Sequence, residues 1–285
     1  MSRIFYVNGS FVDEQDAKIS VLDRGFLFAD AVYEVSSVLK GRLIDNRAHI
    51  TRLHRSLQEL SMAPPCSDEE LVGNQNQLLK LNQLDEGLLY LQVSRGVADR
   101  DFAFPDNPTS SLVMFTQSKS LIDASSAKKG ISVITVPDIR WKRRDIKTVG
   151  LLAPSLAKQQ AIDAGANDAW MVEDGFVTEG TSNNAYIVRD DKVIQTRHLG
   201  NEILSGITRV AVLKFAREEG YEVIEEPFTV EQVKESKEAF FTSASGFVTP
   251  VVSIDGEAIG KGIPGPVAER LRKVYIETAL QQEDL

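Results

Sequence analysis

Three glycine-ended pairs, Asn8-Gly9, Lys40-Gly41 and Asp174-Gly175, each fall between two runs of strand-forming residues. Such pairs reverse the chain in two residues, and strands joined this way run antiparallel. Asp190-Asp191 sits in the same manner inside NAYIVRDDKVIQT and predicts a fourth hairpin. Any fold for this chain must therefore accommodate several hairpins, with helices added around them.

The first half opens with strands over residues 3–12, around Asn8-Gly9. After a break at Gly25, VYEVSSVL predicts a strand that turns at Lys40-Gly41 into a second one. Asn46 is expected to cap a helix in which Ile50, Leu53, Leu57 and Leu60 recur at helical spacing, until Pro64-Pro65 ends it. Ser67 with Glu70 is the pattern of a capping box and predicts a second helix over DEELVGNQNQLLKLNQL. LLYLQVSRG and SLVMFTQ predict strands on either side of a long, charged, proline-bearing loop. Two helices beside hairpin strands make an α+β domain, expected over residues 1–119, with the polar segment 120–130 as a linker.

A larger C-terminal α+β domain, residues 131–285, is expected to carry strand ISVITVP and a helix from about Ser155 to Ala164. It continues with the hairpins at Asp174-Gly175 and Asp190-Asp191 and a helix from Thr208 to Glu219. Strands in EAFFTSASGFVTPVVSI and a last helix from Pro266 to Leu280 complete it.

Composition narrows the function classes. With 42% hydrophobic and 26% charged residues the chain has the balance of a globular protein, and its net charge of -9 repels phosphate backbones. Beyond the short WKRR patch there is no basic stripe, which argues against a nucleic-acid partner. One cysteine, Cys66, cannot form an intrachain disulfide, no metal-ligand spacing occurs, and the N-terminal residues lack an apolar signal core. The longest apolar runs, such as LLYLQV, are far too short for a membrane span. These features predict a cytoplasmic protein.

The chemistry-bearing stretch is WKRRDIKTVG, where Lys147 stands between Ile146 and Thr148 in a segment expected to be extended and half-buried. Two readings stand: a surface lysine, or a nucleophilic amine whose proton is lost more easily because Lys142, Arg143 and Arg144 repel it. Glu179, in VTEGTSNNAYIV, is either a turn carboxylate or a buried acid able to keep a pyridine nitrogen protonated. Gly206, Ile207 and Thr208 begin a helix, as an ordinary cap or as an anion seat made of free amides. TSASG, residues 242–246, is a second small-residue turn. GKGIPG, from Gly260 to Gly265, matches a dinucleotide glycine pattern but has too little chain after it, and is expected to be a turn before the last helix. His49, His54 and His198 show no ligand spacing, and the first two are expected at the surface or in caps.

EGTSNNAY from Glu179, IQT at 194–196 and LSGITR at 204–209 resemble, in order and spacing, the signature of the class IV, fold-type IV pyridoxal phosphate aminotransferases. DRGFLFADAVYEV, HITRLHRSL, YLQVSRGVADRDFAFP and RRDIKTVGLLAPSLAKQQA extend the resemblance over nearly the whole chain, and within the family it is most similar to the D-amino acid enzymes. The resemblance implies a two-domain fold, a homodimer, and pyridoxal 5'-phosphate held as a Schiff base on Lys147, with Glu179 at the ring nitrogen. It implies that Arg52, Ile207, Thr208, Ser243 and Ala244 bind the cofactor phosphate, and that Tyr33, Arg100 and the residue at 102 meet the substrate carboxylate.

Two positions depart from the pattern. Phe102 stands where the D-amino acid enzymes usually have histidine, and Ala244 where a hydroxyl residue is usual. Phe102 cannot donate a hydrogen bond, so carboxylate binding is expected to fall to Arg100, with Tyr33 or Arg95. The implied reaction moves an amino group between a D-amino acid such as D-alanine and a 2-oxo acid, pyruvate or 2-oxoglutarate. Its rivals within the fold are an (R)-amine transaminase, a branched-chain L-amino acid aminotransferase and an aminodeoxychorismate lyase; a rival of another class is a non-catalytic binding protein.

Overall fold

The expected hairpin turns carry the backbone that their residues favour. Asn8 (φ 47°) with Gly9 (φ 92°), Lys40 (φ 52°) with Gly41 (φ 71°), and Asp174 (φ 53°) with Gly175 (φ 83°) are paired left-handed residues. Two such residues in succession give the turn whose twist matches its flanking strands. Asp255-Gly256 is a further pair of this kind, not foreseen from the sequence. The computed structural model describes residues 2–190 and 192–282, so the turn expected at Asp190-Asp191 lies partly outside the described residues.

Contacts divide the chain into two units. The first runs through Ser120 and also takes in Ile146–Gly150; the second comprises Leu121–Asp145 and Leu151–Gln281. Two expectations about domain limits fail on this division. The polar segment 120–130 is no linker: Leu121 is fully buried, and Arg272 Nη2 holds the carbonyl of Ile122 at 3.2 Å as well as that of Leu121. Ser125–Lys129 there forms a helix. The lysine expected in the C-terminal domain belongs instead to the first unit, because the buried Ile146 joins that unit's apolar core.

In the first unit, β1 (Ile4–Val7), β2 (Ser10–Asp13), helix α1 (Arg24–Phe28), β3 (Ala31–Leu39) and β4 (Arg42–Leu43) precede helices α2 (Asn46–Glu59) and α3 (Asp68–Leu81). Strands β5 (Glu86–Ser94) and β6 (Ser111–Ser118) follow. The sheet order is β2-β1-β6-β5-β3-β4, antiparallel throughout. Ile50, Leu53 and Leu57 of α2 pack with Val32, Val38, Leu89 and Leu91 from the sheet; each such side chain, fully buried, contributes about 1.5–3 kcal/mol. Asn46 does not cap α2. Asp45 precedes the helix in a left-handed conformation without a side-chain cap, and Asn46 Nδ2 instead donates to Gln75 Oε1 of α3 at 2.8 Å. The helix stops at Glu59, before Pro64. The Ser67 hydroxyl does accept from the Glu70 amide, without the reciprocal carboxylate bond of a full capping box.

The second unit holds helix α4 (Ser125–Lys129), β7 (Ile131–Pro137), α5 (Leu152–Asp163), β8 (Asp168–Glu173), β9 (Phe176–Gly180), β10 (Asn184–Asp190) and β11 (Val193–Thr196). After them come α6 (Ile207–Glu218), β12 (Glu222–Glu225), α7 (Val230–Glu235), β13 (Glu238–Ser243), β14 (Phe247–Ile254), β15 (Glu257–Ala258) and α8 (Pro266–Gln281). Its strands run β12-β11-β10-β13-β14-β7-β8-β9, with β15 on β14. Antiparallel pairs are joined by parallel ones at β11–β12, β14–β7 and β7–β8. Trp170, Ile187, Phe228, Val251 and Ile254 form its core. The segment from Gly260 to Gly265 is a turn leading into α8. Hairpin-rich sheets beside helices in both units make the chain α+β, as expected.

Candidate active site

In the first unit, burial of Ile146 draws the lysine segment alongside β3. The Tyr33 amide donates to the Lys147 carbonyl at 3.0 Å, the Val149 amide donates to the Ala31 carbonyl at 3.1 Å, and the Lys147 amide donates to Ser56 Oγ at 3.4 Å. Lys147 is thereby held half-buried, with Nζ 4.1 Å from the centroid of the Tyr33 ring. Among the described residues Nζ makes no hydrogen bond and no ion pair. Two of the three basic neighbours expected to repel it are paired with carboxylates: Arg143 with Asp145 at 3.0 Å and Arg144 with Glu173 at 2.7 Å. Tyr33 stacks on Tyr90, which stacks on Phe115, and burial pushes the Tyr90 hydroxyl above the usual phenol range, helped by Tyr33.

Arg52 projects from α2 into a buried ion cluster. Its Nε donates to Glu34 Oε1 at 2.8 Å and its Nη2 to Glu34 Oε2 at 2.7 Å, a bidentate grip that fixes the guanidinium plane. His49 Nδ1 lies 2.7 Å from the same Oε2. His49, expected at the surface or in a cap, is instead buried, because it faces β3 with Arg52. Burial acts to raise the Glu34 carboxyl, but the charge and bonds of Arg52, then those of His49, outweigh it and hold Glu34 at about 2.

Arg100 and Phe102 ride on the loop between β5 and β6. Arg24 Nη1 donates to the carbonyls of Asp101 (2.6 Å) and Ala103 (3.2 Å), while its Nε is held by Asp30 at 2.8 Å. Arg95 is fixed by Asp30 at 2.7 and 3.0 Å and by the Leu60 carbonyl, with its guanidinium 3.6 Å from the Phe104 ring centroid. That occupation removes Arg95 from the candidates for a substrate carboxylate. Arg100 lies over the rings of Phe28 (5.3 Å) and Phe102 (5.6 Å), and among the described residues it has no carboxylate partner. Phe102 is 79% exposed.

The second unit carries the remaining candidates. Glu179 is a buried residue of β9, not a turn carboxylate. Arg140 Nη1 donates to its Oε1, while Asn184 Nδ2 (3.0 Å) and the Leu204 amide (3.2 Å) donate to Oε2. Burial pushes its carboxyl above the ordinary range, with Arg140 acting against the rise. Gly206 precedes α6 and supplies no capping side chain, so the amides of Ile207 and Thr208 have no acceptor among the described residues. That end of a twelve-residue helix can seat an anion such as a phosphate. Ser243, Ala244 and Gly246 form the turn between β13 and β14, closed by the Gly246 amide on the Ser243 carbonyl at 3.3 Å. A Cβ at Gly246 would lie 3.2 Å from Ser243 Oγ, so the turn has little room for a larger residue.

The family profile described as Amino-transferase class IV matches residues 31–254. The chain is a class IV aminotransferase. Among curated relatives, D-alanine aminotransferase of Staphylococcus aureus (strain N315) is 39% identical over 98% of this chain and 99% of its own length. D-alanine aminotransferase of Bacillus licheniformis is 37% identical, over 98% and 96%. Of solved structures, branched-chain amino acid aminotransferase of Escherichia coli superposes with a TM-score of 0.91 at 23% identity, covering 100% of this chain and 97% of that one. The T.th. branched-chain amino acid aminotransferase with pyridoxamine 5'-phosphate gives 0.89 at 29% identity, covering 98% and 94%. The fold of this aminotransferase is thus fold type IV.

Sequence reasoning missed Glu34, Arg24 and Arg140, while the GTSNN string beside Glu179, expected to hold that acid in place, does so through Asn184. Only Glu34 left a signal: a carboxylate inside the apolar run VYEVSSVL must find a buried cation.

Proposed function

We propose that this aminotransferase uses pyridoxal 5'-phosphate to move an amino group between a D-amino acid, such as D-alanine, and a 2-oxo acid, pyruvate or 2-oxoglutarate. The observation that carries the reading is the half-buried Lys147 amine, held by its backbone and left without a hydrogen-bonding or ionic partner among the described residues. The full-length similarity to D-alanine aminotransferases supports the D-amino acid as substrate.

The residues present fit the cofactor. A reactive aldehyde needs a free amine, a phosphate needs unspent donors, and a cationic ring needs a buried anion. Lys147, the amides of Ile207 and Thr208, and Glu179 meet those needs. When bound, the cofactor supplies an aldehyde that takes up the substrate amine and a ring that accepts electrons from Cα. Lys147 holds the cofactor and then carries the Cα proton on Nζ. Glu179 keeps the ring nitrogen protonated. Arg52, Thr208, Ile207 and the Ser243–Ala244 turn hold the phosphate. Arg100, between its aromatic neighbours, and Tyr33 receive the substrate carboxylate, with Phe102 as an apolar wall in place of a donor. Val21, Phe26, Phe102 and Phe104, large apolar side chains exposed on the first unit, support a homodimer.

Separate addition of D-alanine, L-leucine and (R)-1-phenylethylamine to the purified holoenzyme tests the assignment. D-alanine is expected to bleach the cofactor absorbance fastest, and Lys147→Ala to abolish multiple turnover. Preference for L-leucine would move the reading to the branched-chain enzymes named among the structural neighbours, and preference for the amine to an (R)-amine transaminase.

A further inference from the structure

Glu179 sits at one end of a chain of alternating charges. Arg140 donates to Glu179 and is gripped from the other side by Asp138, through Nε at 3.0 Å and Nη2 at 2.6 Å. Asp138 also accepts from Thr178 Oγ1 at 2.6 Å and stands 3.4 Å from Arg144 Nη1. Arg144 continues to Glu173, at 2.7 and 3.1 Å. Three carboxylates thus face two guanidinium groups, and Lys142 adds its charge at the outer, partly exposed Glu173. At the inner end the buried Glu179 has Arg140 as its one ion-pair partner among the described residues, and a buried carboxylate gains from a further cation.

Hydrogen-bond capacity locates where that cation would go. A carboxylate offers about four lone-pair directions. Glu179 Oε2 accepts from Asn184 and from Leu204, while Oε1 accepts from Arg140 alone. One direction on Oε1 remains. We propose that Arg140 is a positioning residue which keeps the buried Glu179 ionised and leaves its last Oε1 lone pair to accept from a cationic ring nitrogen. The proposal rests on the assignment of Glu179 to the ring nitrogen of the cofactor.

The physical need for Arg140 is clear from the competing tendencies at Glu179. Burial alone drives this carboxyl toward its neutral form, and Asp138 pushes the same way; Arg140 is the nearby group whose charge opposes both. A Glu179 that stayed neutral would keep its proton, donate only a hydrogen bond to the ring nitrogen's lone pair, and leave the ring uncharged. Asp138, bound to Arg140 through two nitrogens, keeps the guanidinium in the plane that reaches Oε1. Asn184 and the Leu204 amide orient the carboxylate but bring no charge.

The test compares holoenzymes of wild type, Arg140→Met, Arg140→Lys, Asp138→Asn and Glu179→Gln, each checked for native circular dichroism. The readouts are cofactor affinity, the cofactor's absorption spectrum across pH, and the single-turnover rate with D-alanine. Arg140→Met is expected to reproduce the Glu179→Gln spectrum and to lower the single-turnover rate by about 10- to 100-fold, the worth of one charge-assisted hydrogen bond. Arg140→Lys restores part of the loss, and Asp138→Asn shifts the spectral titration in the same direction by less. Should Arg140→Met not fold, the lysine and Asp138 variants decide. A Glu179→Gln spectrum that shifts while every Arg140 and Asp138 variant titrates like wild type would overturn the proposal and leave the Glu179 assignment standing. If Glu179→Gln itself leaves the spectrum unmoved, it is the assignment of Glu179 that fails.

Discussion

Replacing Glu34 by glutamine keeps the side-chain shape and removes its charge, leaving Arg52 and His49 buried around a neutral amide. A carboxyl held at about 2 instead of its ordinary 4.5 contributes about 3 kcal/mol of folding free energy at neutral pH. Breaking one side of a buried ion pair costs about 3–5 kcal/mol, which agrees in size. Because the folded-state value lies below the ordinary one, this stability is fully present above about pH 4.5 and is lost as pH falls toward about 2. Glu34→Gln is therefore expected to lower the thermal midpoint by roughly 6–10 °C at neutral pH. Urea unfolding of both proteins, followed by circular dichroism at about pH 7, 5 and 3, should show a gap that is constant between the first two and shrinks at the third. The gap should also resist added salt, since a buried pair is little screened. A gap that stays the same or widens on acidification would refute the argument that Arg52 and His49 set the charge of Glu34.

Phe102→His should raise kcat/KM for D-alanine by about 2- to 10-fold, the worth of one regained neutral hydrogen bond; an unchanged value would place position 102 away from the substrate carboxylate. Gly96 has φ +98° at the start of the loop that carries Arg100, and a Cβ there would run into the Thr109 carbonyl. Gly96→Ala should accordingly destabilise the protein by about 2 kcal/mol or more and raise KM for D-alanine, as read by thermal unfolding and steady-state kinetics.

Features governed by neighbours in sequence were legible. The hairpins at Asn8, Lys40 and Asp174 depend on two residues each, and the apolar stripe Ile50, Leu53, Leu57 on one helix face, so local pattern sufficed. Short elements escaped. Helix α1 has five residues and no apolar periodicity to reveal it; it exists because Asp23 caps the Gly25 amide and Ala29 ends it in a left-handed conformation. Helix α7 escaped for the same reason, although Thr229 and Gln232 form a complete capping box. The division into units was hidden because polarity does not always mean exposure. Segment 120–130 is polar, but Arg272 on α8, some 150 residues away, satisfies its carbonyls and lets Leu121 bury.

The candidate site divides along the same line. Its motif residues, Lys147, Glu179, Arg52 and Thr208, sit in short strings that can be matched one string at a time. What sets their charge comes from elsewhere: Glu34 lies 18 residues from Arg52, and Arg140 lies 39 residues from Glu179. In both cases a buried ion would be prohibitively costly without its partner, so the partner is as necessary to the chemistry as the residue that the motif names. The two pairs are mirror images. On the proposed assignment, Glu34 would stabilise and orient a guanidinium offered to a phosphate, while Arg140 would stabilise and orient a carboxylate offered to a ring cation. Glu34 takes Nε and Nη2 of Arg52, and Arg140 takes a single bond on Oε1 of Glu179. Substitutions at Glu34 and Arg140 should for that reason alter cofactor affinity even though neither residue is assigned a contact with the cofactor, an effect that motif matching alone would not anticipate.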